Sequence, residues 1–180
     1  MTKNLLILIL FATIQFSCKD NTHPQKQYYP LYAFLQEELN TIDSLPIAVT
    51  RIQEDDNKID TTIITKADFR KITEGLIGND VKDVKAINEF NETVFEDLEL
   101  KDITITYTTD IKKSAISKIE IHVDPKTALV KSFYAERTDE INAIQIVRKI
   151  LWTRGKQLLV SSTHYSKSEA PKNKVDRFNW

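Results

Sequence analysis

With one cysteine, three glycines and no long apolar run, the 180-residue chain lacks the material for several familiar designs. A single thiol, Cys18, leaves no partner for an intramolecular disulfide, so stability has to come from packing. The glycines stand only at 75, 78 and 155, which excludes a glycine-rich phosphate loop, and no G-x-S-x-G elbow occurs. The longest apolar stretch, residues 5–16, is twelve residues long and is followed at once by polar and acidic ones. A helix needs about 20 apolar residues to span a bilayer, so a permanent transmembrane helix is not expected. Charge of one sign is missing too. Lys plus Arg number 25 against 26 Asp plus Glu, a balance that gives no footing for nucleic acid or an acidic polymer.

What is present begins with a leader. Lys3 supplies a positive start, residues 5–14 are apolar and uncharged, and polarity returns at Gln15, which is the anatomy of a secretory signal. Ser17-Cys18 follows, placing the sole cysteine where a signal peptidase meets a small residue. This placement resembles the lipobox of bacterial lipoproteins, although Gln15 and Phe16 stand where that family usually has Leu and a small residue. The resemblance implies that the Cys18 thiol carries a diacylglyceryl group, that residues 1–17 are removed, and that the new amino group takes a further acyl chain such as palmitate. The contrary reading is a signal peptide with an incidental cysteine and a soluble periplasmic product. Each buried methylene contributes about 0.8 kcal/mol, so two or more chains turn marginal membrane association into stable anchoring. Lys19-Asp20-Asn21 is similar to the Lys-acidic export signal of Bacteroidota surface lipoproteins, and it reads equally as the start of a solvated linker.

Removing the leader takes Lys3 and no acid, so the formal charge moves from −1 to −2. Residues 18–29 are polar, contain Pro24 and lack apolar periodicity, as a lipidated tether would. Residues 30–180 have the length of one domain with a substantial core. Tyr28 and Tyr29 are read as the beginning of that core in preference to membrane-interface anchors.

Pro30 suits a helix start, and Leu31, Phe34, Leu35, Leu39 and Ile42 then share one face until Ser44-Leu45-Pro46 ends the run. Residues 47–53 and 59–64 are rich in β-branched side chains and flank the polar turn Glu54-Asp55-Asp56-Asn57-Lys58, predicting a hairpin. Its Asp/Asn run lacks the alternate spacing and terminal glutamate of a calcium loop. Thr65 and Asp68 predict a cap, with Phe69, Ile72 and Leu76 on a short second helix that Gly75 and Gly78 disrupt. Residues 79–88 read as loop or ragged helix. A strand is expected from Asn91 to Phe95, and the acids Glu92, Glu96, Asp97 and Glu99 read as a solvated edge.

The strongest pattern is period-two alternation: Ile103, Ile105 and Tyr107 against threonines, then Ile119, Ile121 and Val123 against Lys118, Glu120 and His122. Asp124-Pro125-Lys126-Thr127 is a turn by residue type, and residues 129–137 return as a strand. Residues 141–152 fit helical and alternating spacing alike; their β-branched content and the Arg154-Gly155 turn favour strand. Residues 158–165 and 174–180 complete an antiparallel meander.

The turn Val123-Asp124-Pro125, the segment Ile150-Leu151-Trp152-Thr153-Arg154-Gly155-Lys156 and the terminal Phe178-Asn179-Trp180 resemble in pattern a recurrent set of small, uncharacterised Bacteroidota lipoproteins, over roughly residues 90–180. That resemblance implies a fold and a location without a reaction. The expected class is α+β: an antiparallel meander of about seven or eight strands, a curved sheet or half-barrel, with one or two N-terminal helices packed on it. This shape is similar to outer-membrane lipoprotein carriers that hold acyl chains under an open half-barrel.

His122 and Asp124 lie in register on one strand face, but a metal site needs three or four ligands and no third is identifiable. His23 falls in the tether, and His164 near a strand end has no evident partner. No catalytic, cofactor-binding or metal residues are assigned, and no cofactor is expected. A hydrolase would need acids converging around a cleft. The expected function is therefore a non-catalytic module, anchored through Cys18 to a membrane of the cell envelope, most simply the outer membrane. It would bind a hydrophobic or lipid ligand in an apolar pocket between meander and first helix. The alternative is an interaction lipoprotein that docks on another envelope protein through a sheet edge or the tether.

Overall fold

The computed structural model describes residues 28–55, 58–82, 90–110 and 114–180; the leader, Cys18 and most of the tether lie outside them. Helix α1 (Leu31–Ser44) leads into the hairpin β1 (Val49–Asp55) and β2 (Lys58–Ile64). Helix α2 (Lys66–Thr73), a π-helical turn (Glu74–Gly78) and the short α3 (Asn79–Lys82) follow. The remaining strands are β3 (Asn91–Asp97), β4 (Asp102–Thr108), β5 (Ile116–Val123), β6 (Val130–Ile141), β7 (Ile144–Thr153), β8 (Gln157–Tyr165) and β9 (Lys172–Asn179). They form one curved, unclosed antiparallel sheet in the order β2-β1-β9-β8-β7-β6-β5-β4-β3. The expected α+β class holds, with nine strands where the sequence pattern predicts about seven or eight. The meander is β3 to β9, and the N-terminal hairpin extends it by pairing β1 with the C-terminal strand.

The helices form for the reasons the sequence offers. In α1 the residues Leu31, Phe34, Leu35, Leu39 and Ile42 are all buried, while Glu37 and Asn40 face solvent. The helix stops at Leu45, whose extended backbone is what a following proline imposes. At α2 the Thr65 hydroxyl accepts a hydrogen bond from the Asp68 amide at 3.0 Å, satisfying one of the donors that a helix start leaves open. Gly75 and Gly78 do not end this helix; the backbone widens there into the π turn and α3 continues the path. Of residues 79–88, the first four are helical and 83–89 lie outside the described residues.

Alternation sets the inner face of the sheet. Ile103, Ile105 and Tyr107 pair with Val123, Ile121 and Ile119, and the row continues from Ile121 to Phe133, Trp152, Leu158 and Phe178. The 141–152 region is strand, but the register corrects its boundary: β6 runs on through Ile141, and Asn142-Ala143 turns with φ of 52° and 62° before β7 starts at Ile144. Phe69 of α2 fits into the sheet's aromatic cluster, with ring centroids 6.1 Å from Trp152, 5.6 Å from Phe178 and 5.3 Å from Trp180. Tyr28 and Tyr29 join this side of the fold. The Tyr29 amide donates to the Tyr107 hydroxyl at 2.9 Å, and the Tyr28 ring lies 5.6 Å from that of Tyr107.

Candidate functional site

The inner face changes character along the strands. The positions that place Ala135, Ile150, Val160 and Phe178 inward continue, two residues at a time, to Arg137 and Asp139 on β6, Arg148 on β7, Ser162 and His164 on β8, and Asp176 and Lys174 on β9. Arg51 of β1 stands opposite Phe178. The apolar end is covered by helices; the charged end is left open beside α2 and the π turn. Between them lies a cleft of about 740 Å³ whose apolar walls are Ile64, Ile72, Leu76 and Ile141. It shares Arg51, Ile72, Leu76 and Arg148 with a second lobe of about 300 Å³ that reaches Val160, Ser162, His164, Lys174, Asp176 and Phe178. A Cβ placed on Gly75, which lines the larger lobe, would meet nothing within 4 Å.

Ion pairs fix the floor. Arg51 donates from Nε and Nη2 to one Asp176 oxygen at 2.9 and 2.7 Å, with its guanidinium carbon 5.6 Å from the centre of the Phe178 ring. Arg137 donates to both oxygens of Asp139 at 2.9 Å, to the Leu76 carbonyl at 3.2 Å and to Asp80. Burial works against the charge on Arg137, but Asp139 and Asp80 outweigh it and hold the guanidinium more firmly protonated than usual. Arg137 thereby ties the π turn and α3 to the sheet. Arg148 donates to Asp139, and Lys174 lies 4.0 Å from Asp176. Ser162 is buried and His164 half-buried, and neither makes a side-chain hydrogen bond among the described residues.

The residues singled out from sequence are distributed elsewhere, apart from His164, which enters the cleft. Cys18 and His23 lie outside the described residues. His122 and Asp124 are not brought together. His122 Nδ1 is 2.7 Å from Asp102 Oδ2, whereas Asp124 accepts the Lys126 and Thr127 amides at 2.8 and 3.0 Å and so closes its own turn. Those amide bonds hold the Asp124 carboxyl below the usual range. At Asp102 burial acts to raise the carboxyl, but His122 and Lys131, the latter at 2.9 Å, outweigh it and the net shift is downward. The Thr104 hydroxyl meets His122 at the same Nδ1 that faces Asp102, so the three do not form a nucleophile–base–acid relay. Among the described residues no three His, Cys, Asp or Glu side chains converge as a metal site would require. The acids of 92–99 are on or beside the edge strand β3.

Sequence reasoning missed Arg51, Arg137, Arg148 and Lys174. A signal did exist, because Arg137 and Arg148 occupy inward phases of otherwise apolar alternations. Family models, curated proteins and solved structures were each compared with this chain, and none matches. Among the described residues no helix is long and apolar enough to cross a membrane. A functional reading therefore rests on the chemistry of the cleft and of the sequence around Cys18.

Proposed function

We propose that the protein is a cell-envelope lipoprotein, anchored to a membrane through acyl groups on Cys18, whose folded domain is a non-catalytic binding module for a hydrophobic or lipid ligand. The observation that carries this reading is the cleft beside α2. At about 740 Å³ it falls within the range of roughly 300–1,000 Å³ usual for small-molecule sites, and its walls offer Ile64, Ile72, Leu76 and Ile141. The ligand site lies beside α2 and not under α1, whose apolar face is committed to the sheet through contacts such as Phe34 against Phe133. The carboxylates in the floor, Asp139 and Asp176, are taken up by arginines, which favours binding over acid–base chemistry.

Native mass spectrometry of the mature chain tests the module. A hydrophobic small molecule should co-purify or be taken up, and Leu76→Glu should abolish uptake; repeated preparations that stay empty and take up nothing would end the proposal. The anchor is tested separately by intact mass from the native host, where an unmodified Cys18 thiol or an amino terminus elsewhere would remove it.

A second reading has its own observation. The edge strand β3 and its hairpin tip expose Val94 at 60%, Phe95 at 65%, Leu98 at 77% and Leu100 at 75%, more apolar surface than a free edge usually carries. Docking on another envelope protein would use this edge. Crosslinking in whole cells should then recover a partner that Phe95→Lys loses, and recovery of the protein alone would count against it.

A further inference from the structure

We infer that the smaller lobe of the cleft seats a carboxylate or phosphate head group, so that the ligand is an amphiphile with an anionic head and an apolar tail; this rests on the reading of the cleft as the ligand site. The two lobes differ in chemistry. The larger one supplies the apolar walls, while the smaller one is lined by three cations, Arg51, Arg148 and Lys174, and one carboxylate, Asp176. Register explains the gathering. Arg148, Ser162 and Lys174 are direct cross-strand neighbours on β7, β8 and β9, one row on the inner face. Adjacent strands are about 4.8 Å apart, so the row spans about 10 Å, the scale of one head group with its hydrogen-bonding shell.

The row is also crowded with cations that share few carboxylates. It continues from Arg148 to Arg137 on β6, two like charges directly opposite one another, an arrangement that opposes folding unless a counter-charge intervenes. Asp139 answers both arginines and Asp176 is shared by Arg51 and Lys174, so the carboxylates stand to either side and none engages the middle of the row. Ser162 occupies that middle, 6% exposed, with a hydroxyl that no described residue engages. Arg51 needs little reordering to serve an anion, because Asp176 and the Phe178 ring already hold its plane. An acidic group entering over Ser162 would accept from the hydroxyl and the flanking cations. Its chain would extend along Ile72 and Leu76, the apolar residues common to both lobes.

The test uses the full mature chain carrying Cys18→Ser, which removes the anchor and alters none of the described residues. Dodecanoate, dodecyl phosphate, dodecanol, acetate and inorganic phosphate are titrated by calorimetry. Charge-assisted hydrogen bonds predict that the two charged amphiphiles bind at least about tenfold more tightly than dodecanol. Acetate and phosphate should bind far more weakly than either amphiphile. Arg148→Gln, and independently the more exposed Lys174→Gln, should erase most of the preference for charge, read within each variant as the ratio of dodecanoate to dodecanol affinity. Equal affinity for dodecanoate and dodecanol overturns the anionic head and leaves the hydrophobic-ligand reading standing. Inorganic phosphate or acetate binding as tightly as the amphiphiles overturns the tail and assigns the lobe to free anions. A preference for charge that survives both substitutions overturns the placement, and binding of none of the five overturns the inference together with the reading beneath it.

Discussion

The least conventional residue in the core is Glu38, a buried carboxylate on the apolar face of α1. It accepts from the Trp152 indole nitrogen at 3.4 Å and meets Arg154 Nε at 3.1 Å, so one side chain joins the helix to the centre of the sheet and to the β7–β8 turn. Replacing it with alanine strands a buried indole N–H, which costs about 1–3 kcal/mol, whereas glutamine keeps an acceptor and loses only a partly screened ion pair. Urea unfolding should therefore rank wild type above Glu38→Gln and Glu38→Ala last; equal midpoints for all three would show the contact to be idle. Asp102 makes a pH-dependent contribution. Its carboxyl is held below the ordinary value in the fold, so the unfolded chain takes up the proton first, near pH 3.9. The stability it contributes is fully present above that pH and drains away as pH falls through the folded value. Asp102→Asn should be less stable than wild type at pH 7, with the difference closing as pH falls through and below the ordinary carboxylate range; a gap that is constant with pH would separate the defect from protonation.

Among the elements, the β6–β7 hairpin carries an avoidable strain. Asn142 and Ala143 both have positive φ, as a type I′ turn demands, and the second position lacks the glycine that this turn prefers. A left-handed alanine costs roughly 1–2 kcal/mol, part of which glycine returns as unfolded-state entropy. Ala143→Gly should raise stability by about 0.5–1 kcal/mol, measured by thermal or urea unfolding, and a lowered midpoint would refute the strain argument. The same turn shows what was legible in the sequence. Strands β4 and β5 and helix α1 announced themselves because one buried face imposes a single period on consecutive residues, and Thr65 announced α2 because a cap is local. The Asn142-Ala143 turn is hidden because it has no glycine, so the sequence pattern puts Ile141 in the strand after it. The π turn hid because two glycines read as a break. Glu38 was invisible for another reason: its partners Trp152 and Arg154 are more than a hundred residues away, and periodicity carries no information about distance. The cleft shares that difficulty, since Arg51, Arg148 and Lys174 come from three strands whose neighbourhood only the sheet order defines.

For the molecule as a whole, that order places the first hairpin beside the last strand. β1 pairs with β9, so Arg51 and Phe178 meet across most of the chain, and neither the cleft nor the aromatic cluster around Phe69 exists until the C-terminus is in place. Long-range pairing of this kind makes closure late and entropically costly, and it makes the hairpin, α2 and the end of the meander one cooperative unit. Phe178 is the side chain through which that unity can be tested. It is fully buried, packs on Phe69 and lies beneath the Arg51 guanidinium. Truncating it to alanine should cost about 3–5 kcal/mol. Because β9 lies between β1 and β8, amide exchange should accelerate together in β1, β2, β8 and α2, while β4 and β5 at the other side keep more of their protection at the same denaturant concentration. Faster exchange confined to β9, with β1 and α2 unchanged, would mean that the hairpin and α2 hold together without β9 and that the cleft can form without the C-terminal strand.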